Sequence, residues 1–163
     1  MFYNNINPVL LRMGPFEIRY YGLIFVLGFL IGYLFLIYLS KERKLNLSKD
    51  DIADFLLYLL IGIVGGARAF YIIFYNAGFY LSNPLEIFAL WHGGLSFHGG
   101  LIGAIIAGFI FCKKKKVSFY EIADIVVVPA ALGLALGRIG NFLNGELYGR
   151  ITTVPWAVKF KAA

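Results

Sequence analysis

Residues 20–39, YYGLIFVLGFLIGYLFLIYL, contain no charged side chain. A helix needs about twenty apolar residues to cross a hydrocarbon core roughly 30 Å thick. Lipid offers no water to backbone N–H and C=O groups, so a crossing segment must satisfy them as a helix or in a closed barrel. The positive charges Lys41, Arg43, Lys44 and Lys49 follow the run instead of preceding it, and the run is too long for the apolar part of a cleavable signal. It is expected to remain as a membrane helix.

Three further segments read the same way. Residues 52–75 are interrupted by Asp54 and Arg68, residues 93–112 contain His98, and residues 122–143 contain Asp124, Pro129 and Arg138. Proline is tolerated in membrane helices. Only 15% of the chain is charged, against about a quarter in a soluble domain. The expected fold is an all-α integral membrane protein: one transmembrane domain over residues 1–163, with about four spanning helices at 20–39, 52–75, 93–112 and 122–143. Small residues recur four apart at Gly28/Gly32, Gly62/Gly66, Gly99/Gly103 and Gly133/Gly137, a spacing that lets helix backbones approach closely.

Eight of the fifteen Lys and Arg fall in two stretches, Lys41–Lys49 and Lys113–Lys116, after the first and third segments. Both flank apolar runs, which argues for cytoplasmic loops and against a nucleic-acid surface. The N-terminus, the loop between segments two and three, and everything after segment four are then outside. In that loop Ser82, Asn83 and Pro84 signal the start of a short helix reaching Trp91, lying at the interface. The N-terminal PVLLRMGPFEIR reads as extended, with a turn at Gly14-Pro15. The lone Cys112 permits no internal disulfide and reads as a small apolar residue.

Polar groups inside a membrane are costly and mark function. Counted from the cytoplasmic end of each segment, Tyr21, Arg68, His98 and Arg138 lie about 27, 24, 21 and 24 Å up, all in the outer leaflet. Two arginines at one depth suit a phosphate, because guanidinium is always charged and forks onto phosphate oxygens. His98 can take a proton near neutral pH. Beyond Arg138, the stretch GRIGNFLNGELYGR adds Asn141 and Asn144 as neutral donors and acceptors, and Glu146 to orient the cations or balance their charge. The implied substrate is a phospholipid attacked at its head group. His92 and His98, six apart and without cysteine or HExxH, make a poor metal site, and Ser96 lacks the elbow of a serine hydrolase.

GRIGNFLNGELYGR closely resembles the signature of bacterial prolipoprotein diacylglyceryl transferases. HGGLSFHGGL, RYYGLIF and GARAFYIIFYN resemble that family's other N-terminal blocks, in the same order. The resemblance implies a multi-pass enzyme of the bacterial cytoplasmic membrane, with its site facing the outer leaflet. It would transfer the diacylglyceryl group of phosphatidylglycerol to the lipobox cysteine of a prolipoprotein, with no metal or organic cofactor. It also implies that His98 is the general base, that Arg138 binds the lipid phosphate, and that Tyr21, Asn141, Glu146 and Gly149 belong to the site. Family members are usually longer, so the chain is expected to be an N-terminal part of the fold. A transporter or flippase for an anionic lipid or solute is the competing class. It too would want arginines and glycine-broken helices, but at the midplane and with an internal repeat.

Overall fold

The computed structural model describes residues 2–14 and 16–160. In order these form β1 (Phe2–Asn4), β2 (Val9–Met13), β3 (Phe16–Arg19), α1 (Tyr20–Glu42), α2 (Lys49–Tyr75), α3 (Ala77–Ser82), two 3-10 turns (Pro84–Phe88 and Leu90–His92), α4 (Phe97–Lys115), α5 (Phe119–Asn144) and β4 (Val158–Phe160). Helices α1, α2, α4 and α5 are each long and apolar enough to cross a membrane. They match the four expected segments, with shifted ends.

The shifts have local causes. α2 starts at Lys49 because Ser48 and Asp51 form a reciprocal capping box. α4 starts at Phe97 and not at residue 93, because Gly93 and Gly94 both sit at φ +79°, a conformation that helices exclude and glycine allows. Ser96 then caps the helix, its hydroxyl accepting from the Gly99 N–H, so this serine is a structural cap. The far end runs on through Lys113–Lys115, whose charge suits a helix C-terminus, and stops where Lys116 turns left-handed.

One expectation is corrected. The single interfacial helix from Pro84 to Trp91 is instead two 3-10 turns, and α3 precedes them. The helical membrane architecture holds, and four short strands accompany the helices among the described residues. β2 and β3 form an antiparallel hairpin across the stretch read as extended, pairing Arg12 with Glu17 and Met13 with Phe16. Gly14 turns it at φ +59°, while the Pro15 half of the expected turn lies outside the described residues, as do Lys161, Ala162 and Ala163. Hydrogen bonding from Arg19 foremost, and then the charge of Arg12, holds the Glu17 carboxyl below its ordinary range.

The chain divides into two compact units, Ile37–Ile125 and Met1–Leu36 with Val126–Ala163. In the first, α2 and α4 pack along a glycine seam. A Cβ on Gly62 would lie 2.5 Å from the Gly103 carbonyl oxygen, and one on Gly66, Gly99 or Gly103 would likewise meet facing backbone. Backbone contact this close is what small-xxx-small spacing provides. At the lysine-rich end of the seam Phe111 is wholly buried against Phe55 and Tyr58, and Lys115 pairs with Asp51 and, at 3.9 Å, with Asp54.

In the other unit the glycine pairs behave differently. Gly28 and Gly32 of α1 face Leu136 and Pro129 of α5 at ordinary van der Waals distance, whereas Gly133 and Gly137 have open space where a Cβ would stand. β1 pairs in parallel with β4, bringing Asn4 opposite Phe160.

Candidate functional site

The polarity of GRIGNFLNGELYGR begins within the last turns of α5 and continues past its end. Gly145, at φ +68°, closes the helix: its N–H donates to the Phe142 carbonyl, and the Glu146 N–H donates to the Asn141 carbonyl. This is the double bond pattern of a Schellman cap, for which glycine is the favoured residue. The same turn folds the Glu146 side chain back over the helix. Its Oε1 accepts from Asn141 Nδ2 at 3.2 Å and from Asn144 Nδ2 at 3.1 Å. Three residues singled out in the sequence thus form one cluster. With each amide nitrogen directed at the carboxylate, the amide oxygens remain as acceptors, and Asn144 Oδ1 is buried without a hydrogen-bond partner among the described residues.

The turn is braced from both chain ends. Asn4, 5% exposed, donates through Nδ2 to the Phe142 carbonyl at 2.6 Å and accepts from the Ile6 N–H. Phe160 of β4 packs edge-on to Phe142 and stacks on Tyr148. The Tyr21 ring packs against α5 at Gly140, where a Cβ would come within 2.6 Å of it. Asn4, Gly140 and Phe160 escaped the sequence reading. Gly140 carried the available signal, as one of four glycines inside the polar signature. Arg138 is exposed and makes no hydrogen bond or ion pair among the described residues, so its five donors are available. Gly149 lies beyond the turn with open space about its Cα.

In the unit spanning Ile37–Ile125, Arg68 departs from expectation. It was expected to face a lipid phosphate. Instead it is 5% exposed, and all five N–H groups point at backbone carbonyls 2.5–3.2 Å away: Nε at Ile87, Nη1 at Gly93 and Gly94, and Nη2 at Glu86 and Ala89. The Tyr80 ring lies 5.0 Å from its guanidinium carbon. The Glu86 and Ala89 carbonyls also accept the 3-10 bonds of the Ala89 and His92 N–H groups, so the cation and the two turns share them. A guanidinium has five N–H groups, so no donor is left for phosphate.

His98 is the second residue of α4. It is exposed, with Phe70 of α2 and Phe97 flanking its ring at 6.4 and 6.0 Å. Its ring nitrogens have no hydrogen-bond partner among the described residues. His92, in contrast, is paired through Nδ1 with Glu86 at 2.7 Å.

The family model described as prolipoprotein diacylglyceryl transferase matches residues 8–163. Proteins named phosphatidylglycerol–prolipoprotein diacylglyceryl transferase are similar over nearly the whole chain. The one from Geobacter sulfurreducens is 49% identical over 98% of this chain and 62% of its own length. That from Bordetella parapertussis is 46% identical over 97% and 61%, and that from Rickettsia canadensis 44% over 98% and 62%. The chain therefore spans about three fifths of the length of these curated relatives.

Proposed function

The chain belongs to the prolipoprotein diacylglyceryl transferase family, and from that premise we propose that it moves the diacylglyceryl group of phosphatidylglycerol onto the lipobox cysteine of a prolipoprotein. The observation that carries this reading is the match to transferases over nearly the whole chain. The relatives give a transporter or flippase no support.

In the proposed reaction the cysteine sulfur attacks the glycerol carbon that bears the phosphate. A C–S bond forms and the C–O bond breaks. The electron pair leaves with glycerol phosphate, and the thiol proton goes to a base. Only a few per cent of a free thiol is ionised at pH 7, so a base is needed. His98 takes that role, supported by its exposed ring and unpartnered nitrogens. Arg138 holds the phosphate as charge builds on it, supported by its uncommitted donors. Glu146 fixes Asn141 and Asn144 so that their oxygens meet the hydroxyl and ester groups of the lipid, and Tyr21 and Gly149 flank them. The reaction takes place in the bacterial cytoplasmic membrane, with the site facing the outer leaflet.

The test is incubation of membranes holding the full-length protein with labelled phosphatidylglycerol and a lipobox peptide. Thioether-linked lipid on the peptide is the expected product. His98→Gln lowers its rate by about 10²–10⁴-fold, the usual worth of a general base. Arg138→Lys, which keeps charge but loses the fork, lowers it by about 10–10²-fold. A labelled lipid that crosses vesicles with no covalent product, or full activity in His98→Gln, overturns the reading.

A further inference from the structure

We propose that Arg68 is a positioning residue: it gathers the carbonyls of Glu86, Ile87, Ala89, Gly93 and Gly94 and thereby sets where α4 begins and where His98 stands. This deepens the transferase reading and rests on it.

The geometry connects α2 to His98 step by step. Arg68 takes the Gly93 and Gly94 carbonyls through Nη1. One residue earlier on α2, the Ala67 carbonyl accepts from the Ser96 N–H at 3.0 Å. Ser96, itself buried, caps α4 through the Gly99 N–H, and His98 follows two residues after that serine. Phe70, two residues further along α2, flanks the imidazole. Gly94 is bound into the same device. It sits at φ +79°, and a Cβ there would lie 2.8 Å from Arg68 Nη1 and 2.7 Å from the Tyr71 ring. Glycine is thus needed both for the backbone angle and for the approach of the cation. Lysine could not replace Arg68, because one ammonium with three donors cannot serve five carbonyls spread around a planar fork.

The test compares full-length wild type, Arg68→Lys and Gly94→Ala in phosphatidylcholine nanodiscs containing a graded fraction of phosphatidylglycerol. Hydrogen exchange reads the loop, and transfer to a lipobox peptide reads the reaction. Both variants are expected to speed exchange of the amides at 86–96 by about tenfold or more, while the α2–α4 seam stays protected. Transfer should lose about 10–10²-fold in kcat, with KM for phosphatidylglycerol changed less than about twofold. Gly94→Ala keeps the arginine and its charge, so it separates the two roles even if Arg68→Lys destabilises the fold. Unchanged loop exchange in both variants overturns the proposal. So does a raised KM for phosphatidylglycerol with kcat retained in Arg68→Lys and no effect of Gly94→Ala, which is the behaviour of a phosphate ligand. If the wild type transfers no lipid, the transferase reading fails, and the exchange comparison still decides whether Arg68 organises the loop.

Discussion

The two arginines predicted to share a phosphate differ in what their donors face. Arg68 is buried among carbonyls, whereas Arg138 is exposed with no partner among the described residues. Both are arginines near one end of an apolar segment, and spacing alone cannot distinguish them. Glu146 is the other residue whose meaning depends on its neighbours. It accepts from both asparagines, so its removal should release two amides at once. Glu146→Ala is expected to lower transfer about tenfold or more. Asn141→Ala added to it should cost less than the sum of the two changes, with a coupling of about 0.5–3 kcal/mol in a double-mutant cycle on the transfer rate. Strict additivity would mean that the two side chains act apart.

At the scale of elements, glycine spacing identified close helix packing, but it did not distinguish glycines in a seam from glycines beside open space. Gly62, Gly66, Gly99 and Gly103 meet backbone on the facing helix, while Gly133 and Gly137 meet nothing within 4 Å. Gly103→Ala is therefore expected to destabilise the protein by about 1–3 kcal/mol, the usual cost of overpacking. Gly133→Ala should be neutral or stabilise by about 0.5–1 kcal/mol, because alanine is the better helix former. Thermal unfolding in detergent compares the two. The apolar runs were legible because a spanning helix is specified by its own residues. The loop between α3 and α4 was read only in part: its proline and asparagine signals were local, but the cation that bends its carbonyls comes from α2.

At the scale of the molecule, the basic stretches Lys41–Lys49 and Lys113–Lys116 imply one orientation, with the loop carrying Trp91 on the opposite side of the membrane. Asn46→Cys should react with an impermeant maleimide only in inverted vesicles, and Trp91→Cys only in intact cells. Cys112 is buried and gives little background. The reverse pattern would place the polar turn after α5 toward the cytoplasm, away from the leaflet that the proposed reaction uses.

The sequence by itself determined the four spanning segments, their family and the residue types of the polar signature, because hydrophobic length and short motifs are properties of neighbouring residues. The tertiary structure alone decided that Arg68 serves the loop, that Asn4 holds the Phe142 carbonyl, and that β1 lies beside β4. Each of these joins backbone groups far apart in the chain. Which carbonyls at helix ends and turns have room for a second donor, and which side chain reaches them, is fixed only once the helices and turns are in place.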